Sequence, residues 1–184
     1  GKNREAALIQ MQNALSQFHV DGLGNNIAFL EKIVRSESFK QAKLDTNLIQ
    51  REQNFLFSPE EIKPELVVAA AFIEFLSQLN NNSSSQKQLW QAQPLWRLNI
   101  AYQHSIKLNY LNQNIQIKFA SNEDGFTAEY NGQSYPISGQ LIDAHTVSVQ
   151  ISGTQQKLPF NQSQQGITLF QNGQSYKFAY IRQD

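Results

Sequence analysis

A chain of 184 residues, 40% hydrophobic and 16% charged, has enough apolar material for a core and suits one compact domain, or one domain plus part of another. Fifteen basic residues balance fifteen acidic ones, so bulk charge builds no surface for nucleic acid or for an anionic membrane. Cysteine is absent, which excludes a disulfide framework, a thiolate zinc site and a cysteine nucleophile. Amides replace the missing charge: 25 Gln and 17 Asn exceed a fifth of the chain, an unusual excess over average composition. No apolar run reaches the length of a membrane span and no basic-then-apolar leader opens the chain, so the expectation is a soluble protein that is neither exported nor membrane-bound.

The first eighty residues carry helical periodicity. Over residues 4–18, Ala7, Leu8, Met11, Ala14, Leu15 and Phe18 fall on one stripe at 3.6-residue spacing, which predicts an amphipathic helix. Asp21-Gly22 and Gly24-Asn25 end it, and Asn25 or Asn26 can cap a second helix. That helix carries Ile27, Leu30, Ile33 and Val34 on one face and runs out in Ser36-Glu37-Ser38. Asp45-Thr46 then precedes a short helical turn over residues 47–51. Ser58-Pro59-Glu60-Glu61 has the form of a capping box with Pro at the first helical position. Pro64, one turn later, offers a second start or a bend. Residues 65–79 are apolar nearly all round, broken only by Glu65, Glu74, Ser77 and Gln78. The run is too short for a bilayer, so it must be buried on most faces within the protein. Residues 80–86, all Asn, Ser and Gln, read as an exposed flexible connector.

Beyond residue 100 the period changes from 3.6 to 2. Ile106, Leu108 and Tyr110 alternate with polar residues, as do Ile115, Ile117 and Phe119, and then Phe126, Ala128 and Tyr130. Tyr135 and Ile137 follow, then Val147, Val149 and Ile151, then Ile167 and Leu169, then Tyr176, Phe178 and Tyr180. Asn131-Gly132 and Asn172-Gly173 are two-residue hairpin signals, with further turns at Glu123-Asp124-Gly125 and Ser152-Gly153. A sheet with one apolar face, preceded by a helix apolar on all sides, predicts an α+β fold. Its N-terminal helices are followed by a long apolar helix wrapped by an antiparallel β-barrel of about eight strands.

Little in the pattern carries chemistry. His19, His104 and His145 lie far apart with no carboxylate at ligand spacing. Asp21-Gly22-Leu23-Gly24 lacks the strand and third glycine of a dinucleotide fingerprint and reads as a helix–helix turn. Glu60-Glu61 and Glu123-Asp124 are explained by a cap and a turn. No nucleophile elbow stands out. No catalytic, cofactor-binding or metal-ligating residue is therefore assigned. Trp90 and Trp96 flank Pro94 in residues 89–98. Such a segment can be a partner-binding hook, since Trp and Arg dominate interface hot spots, or can fold back over an open barrel end. Both readings stay open.

Some residues carry a family likeness. Residues 3–7, the helix ending Ala14-Leu15, Val20-Asp21-Gly22-Leu23 with Asn25-Asn26, Phe39, and Asp45-Thr46 resemble the tail of a biotin carboxylase domain. The family usually has Thr-Asn at residues 25–26, a departure confined to a turn. Ala69-Ala70-Ala71, the polar connector, Leu95-Trp96-Arg97-Leu98-Asn99 and the strand pair around Asn172-Gly173 resemble the biotin-bearing α subunit of acyl-CoA carboxylases. Within these the chain is most similar to the 3-methylcrotonyl-CoA enzyme, with the geranyl-CoA enzyme close behind.

The resemblance implies that residues 1–52 are the last helices of a biotin carboxylase domain. It implies that 53–184 are the subunit-interaction barrel, with a flexible connector at 80–88. It implies a partner, the carboxyltransferase (β) subunit, in a large hetero-oligomer; the candidate contact residues, from the Trp-containing loop 89–98, are Trp90, Leu95, Trp96 and Arg97. Biotin, ATP and Mg belong to the parent enzyme. The chain has no Ala-Met-Lys-Met attachment motif, its single methionine being Met11, and the expectation is a non-catalytic, cofactor-free, cytoplasmic piece. The rival reading is a β-barrel that holds an apolar small molecule.

Overall fold

A computed structural model describes residues 1–22, 24–58, 61–81, 103–122 and 125–181. The chain divides into two compact units, one of Gly1–Glu61 with Phe170–Tyr176, the other of Ile62–Leu169 with Lys177–Asp184.

The first unit is built from helices α1 (Arg4–Ser16), α2 (Ile27–Arg35), α3 (Glu37–Lys40), α4 (Leu48–Arg51) and α5 (Gln53–Leu56). The Asn3 side chain caps α1 by accepting from the Ala6 N–H at 2.8 Å, with Glu5 favourably placed in the first turn. The stripe read from the sequence is only partly realised. Leu8 and Leu15 are half-buried, whereas Met11 and Phe18 are 52% and 59% exposed. The physical reason is the shortage of partners: within this unit α1 packs chiefly on α2.

Ser36 does not simply end α2. It terminates that helix and caps α3, its hydroxyl accepting from the Phe39 N–H. The helix α3 closes on a Schellman motif, with Lys43 N–H bonded to Ser38 O and Ala42 N–H to Phe39 O. The motif requires a left-handed residue, and Ala42 supplies it at φ 58°. Behind α3 the Arg51 guanidinium reaches Ser38 Oγ, the Lys43 carbonyl and both oxygens of Asp45, while the Glu52 carboxylate accepts from Ser38. Asp45 is held below its ordinary pKa by the Arg51 hydrogen bond, and Glu52 by its bonds from Ser38.

The second unit carries α6 (Pro64–Asn81), 18 residues and about 27 Å long. It starts at Pro64, not at the Ser58 capping box. Pro64 suits the first helical turn, and the Ser58 hydroxyl turns back instead to the Phe55 carbonyl. Leu66, Val67, Val68, Ala69, Ala70, Ala71, Phe72, Ile73 and Phe75 are no more than 2% exposed. At about 1.5–3 kcal/mol for each large side chain, this row is a main source of stability.

Eight antiparallel strands close into a barrel in sequence order: β1 (Gln103–Tyr110), β2 (Gln113–Asn122), β3 (Gly125–Tyr130), β4 (Gln133–Asp143), β5 (Thr146–Ile151), β6 (Thr154–Ser163), β7 (Gly166–Gln171) and β8 (Gln174–Tyr180). Pairing of Leu108 with Tyr180 and Asn109 with Ala179 joins the first strand to the last. The strand count matches the rhythm of the sequence, but β6 had no place in it. Its inward residues Leu158 and Phe160 are separated by Pro159 among Gln, Lys and Asn.

The predicted turns at Asn131-Gly132, Ser152-Gly153 and Asn172-Gly173 form with positive φ at both central residues, and the Glu123-Asp124 part of the other turn lies outside the described residues. A fourth such turn, Leu111-Asn112, has φ 48° and 64° without a glycine. At the start of β7, Gly166 lets the chain pass so close to β8 that a Cβ would run into the Phe178 carbonyl. Strand residues alternate between inside and outside, interrupted by a register shift in β4 between Leu141 and Asp143, and α6 packs on β1, β3, β4 and β5. Phe75 stacks on Phe119, centroids 4.9 Å apart and 14° from parallel, and meets Phe126 edge-on at 4.9 Å.

Candidate functional site

The last two turns of α6 break the apolar run with Glu74, Ser77 and Gln78, and a polar cluster forms where they meet the barrel. Gln78 Nε2 donates to Glu74 Oε1 at 2.7 Å, one turn apart on the helix. From β6, Gln162 Nε2 donates to Glu74 Oε2 at 3.0 Å and to the Tyr180 hydroxyl at 2.7 Å, while Ser77 Oγ donates to Gln162 Oε1 at 2.9 Å. Burial, reinforced by the neighbouring Glu74 carboxylate, pushes the phenol of Tyr180, on β8, well above the ordinary range.

On the other side His104, at the start of β1, lies 2.8 Å from Gln78 Oε1. Helix, first strand, sixth strand and eighth strand are thus tied together by side chains at one end of the barrel. A cleft of about 690 Å³ opens beside the cluster, lined among others by Glu74, Ser77, Leu141, Gln162 and Tyr180.

This end is also where the connector is anchored. α6 leaves it at Asn81, β1 returns at Gln103, and the Gln78–His104 bond joins the two. The interface residues expected from the sequence, Trp90, Leu95, Trp96 and Arg97, follow the connector in the chain and lie outside the described residues. Of the histidines, His104 joins the polar cluster, His19 stacks on Phe170 with centroids 4.9 Å apart, and the His145 backbone N–H bonds Asp143 Oδ1. Among the described residues no three His, Asp or Glu side chains come together in a way that could hold a metal, and no helix is long and apolar enough to cross a membrane.

Sequence reasoning missed the cluster. Its one signal was Glu74, a charge inside an otherwise apolar helix. Gln162 was invisible as one glutamine among 25, separated from Glu74 by 88 residues.

Residues 1–51 match the biotin carboxylase C-terminal domain family. The particular likeness is to methylcrotonoyl-CoA carboxylase subunit alpha, mitochondrial, as the sequence motifs had indicated. Identity to the Oryza sativa subsp. japonica protein is 40% over 58 residues, 32% of this chain and 8% of that protein. The Arabidopsis thaliana protein is 26% identical over 127 residues, 61% of this chain and 17% of the relative. The Mus musculus protein is 26% identical over 147 residues, 76% of this chain and 20% of the relative. The chain thus spans a fifth or less of the length of these curated relatives.

Proposed function

We propose that the chain is the non-catalytic docking part of the α subunit of a biotin-dependent, methylcrotonoyl-CoA carboxylase-like enzyme, and that it holds that subunit to the carboxyltransferase (β) subunit. The observation that carries this reading is that the likeness to subunit alpha extends over 147 residues, far past the 51 of the biotin carboxylase piece and onto the barrel. The relatives' names, which specify an alpha subunit, support a β-subunit partner.

On this reading residues 1–52 are the closing helices of a biotin carboxylase domain, which suits the exposure of Ile9, Met11 and Phe18. Residues 53–184 are the interaction domain, with α6 as the long helix that organises the barrel and with a flexible connector at 80–88. Trp90, Leu95, Trp96 and Arg97, which follow that connector in the sequence, supply the contact. Biotin, ATP and Mg do their chemistry in other parts of the parent enzyme. A cytoplasmic location rests only on the missing cysteines, which suit a reducing compartment; the relatives are named mitochondrial.

Against the alternative of a barrel that holds an apolar small molecule stands the buried row of α6, whose side chains occupy the inward face such a ligand would need. Co-expression of the chain with the carboxyltransferase subunit tests the proposal. Co-elution as a stable complex is expected, and separate elution at micromolar concentration contradicts it.

A further inference from the structure

The apolar surface of α6 carries little information about how the helix is seated. From Leu66 to Ile73, eight consecutive residues are no more than 2% exposed. More than two turns are therefore buried on every side, and no stripe marks one facing. A slip of one residue moves a helix by about 1.5 Å and turns it by about 100°. Here it puts Val68 in the place of Val67 and Ala71 in that of Ala70, exchanges of equal volume that cores tolerate best. The ring contacts of Phe72 and Phe75 with Phe119 and Phe126 oppose a slip only through shape.

Polar groups permit no such exchange. Gln162 is fixed to the barrel wall by the pairing of β6 with β7, where it stands opposite Ile167, and Tyr180 by its pairing with Leu108. The Gln162 carboxamide meets the helix twice: Nε2 donates to Glu74 Oε2 at 3.0 Å, and Oε1 accepts from Ser77 Oγ at 2.9 Å. The same Nε2 donates to the Tyr180 hydroxyl at 2.7 Å, which joins a second strand to the contact. A slip inward by one residue carries Glu74 to the place of Ile73, and by four residues to that of Ala70, both fully buried. A carboxylate at either level leaves its Gln162 donor behind and enters an apolar interior, which is strongly unfavourable. A slip outward sets Ile73 against the Gln162 carboxamide and leaves that amide without the helix partners it has now. We propose that the cluster of Glu74, Ser77 and Gln162 is a register pin, which selects one axial position and one rotation of α6 in the barrel. Its contribution is to the uniqueness of the fold more than to its stability. Buried polar groups that specify register in this way are best attested in coiled coils; here the facing partner is a barrel wall. The pin also sets the level at which α6 ends, at Asn81. It requires no partner protein and goes beyond the docking reading.

The test replaces the cluster by apolar side chains of similar size in the 184-residue chain, with Glu74→Leu, Ser77→Ala, Gln162→Leu and Tyr180→Phe together. The readouts are the Ile73 δ1-methyl signal and the nuclear Overhauser contact between the Phe75 and Phe126 rings. Replacing both sides of a buried polar contact is close to neutral for stability, so the urea midpoint is expected to fall by no more than about a tenth. The unaltered chain is expected to give one Ile73 signal and a strong ring contact. The fourfold variant is expected to give two or more Ile73 signals, or one signal with the ring contact weakened at least threefold. Restoring Glu74 and Gln162 alone in that background is expected to return the single signal and the contact. One Ile73 signal with an undiminished ring contact in the fourfold variant overturns the proposal, because the rings then set the register unaided. Failure of that variant to fold, or a larger loss of midpoint, also overturns it, because the cluster is then a stabiliser and not a pin. Several signals that persist after the restoration overturn the choice of Glu74 and Gln162.

Discussion

At the scale of single residues, two positions convert directly into measurements. Ala42 occupies the left-handed position that ends α3, at φ 58°, where an L side chain is disfavoured by roughly 1–2 kcal/mol and glycine is not. The greater freedom of glycine in the unfolded chain offsets part of that gain. Ala42→Gly is therefore expected to stabilise the chain by about 0.5–1 kcal/mol, read as a rise in the urea midpoint; a fall contradicts the Schellman geometry. Tyr180 gives a pH dependence. Its pKa is raised in the folded state, by burial and then by the neighbouring Glu74 carboxylate, so the folded chain keeps a proton that the unfolded chain releases near pH 10. The associated stability is fully present below about pH 10 and is lost as pH rises toward the folded value. Urea midpoints are expected to fall between about pH 9 and 11, and Tyr180→Phe to make that fall shallower. Tyr110 and Tyr135 are raised by burial as well, so the slope is reduced and not abolished. An unchanged slope in Tyr180→Phe contradicts the assignment.

At the scale of elements, α6 is the piece on which the barrel depends. Phe75 touches Phe72, Phe119 and Phe126 and is 1% exposed. Phe75→Ala leaves a cavity among rings that cannot close over it, and a loss of about 3–5 kcal/mol is expected in urea unfolding followed by far-ultraviolet circular dichroism. A loss below about 1 kcal/mol contradicts a tightly packed interior.

The elements legible in the sequence are those in which side-chain period and turn chemistry agree. β3 and β4 flank Asn131-Gly132 and alternate cleanly, so both their existence and their connection could be read. β6 could not, because Pro159 sits between its two inward residues. The Leu111-Asn112 turn was hidden for a different reason: Leu111 takes φ 48° and is 77% exposed, and nothing in its chemistry announces that conformation. For the start of α6 the sequence offered two positions within six residues, a capping box and a proline, and the helix begins at the proline. The polar cluster around Glu74 is a product of barrel closure. Its members lie on four elements, and in a chain so rich in amides no local pattern marks Gln162 or Gln78 as partners.

At the scale of the whole molecule, the account assigns a structural task to a chain that spans a fifth or less of its relatives' length. The apolar side chains of α6 are buried against strands β1, β3, β4 and β5, and the proposed docking role looks to the outside of the barrel. Its useful surface is then the outside and the polar end from which the connector leaves. Interfaces concentrate their energy in a few aromatic and Arg anchors. If Trp90 and Trp96 are those anchors, replacing both by Ala is expected to weaken binding to the carboxyltransferase subunit at least tenfold while leaving the unfolding midpoint unchanged. Equal affinity of the double variant moves the contact elsewhere on the barrel. The most direct measurement is the affinity of the unaltered chain for the carboxyltransferase subunit, titrated by biolayer interferometry. The account predicts saturable binding at micromolar concentration or below, and an absence of saturable binding there contradicts it.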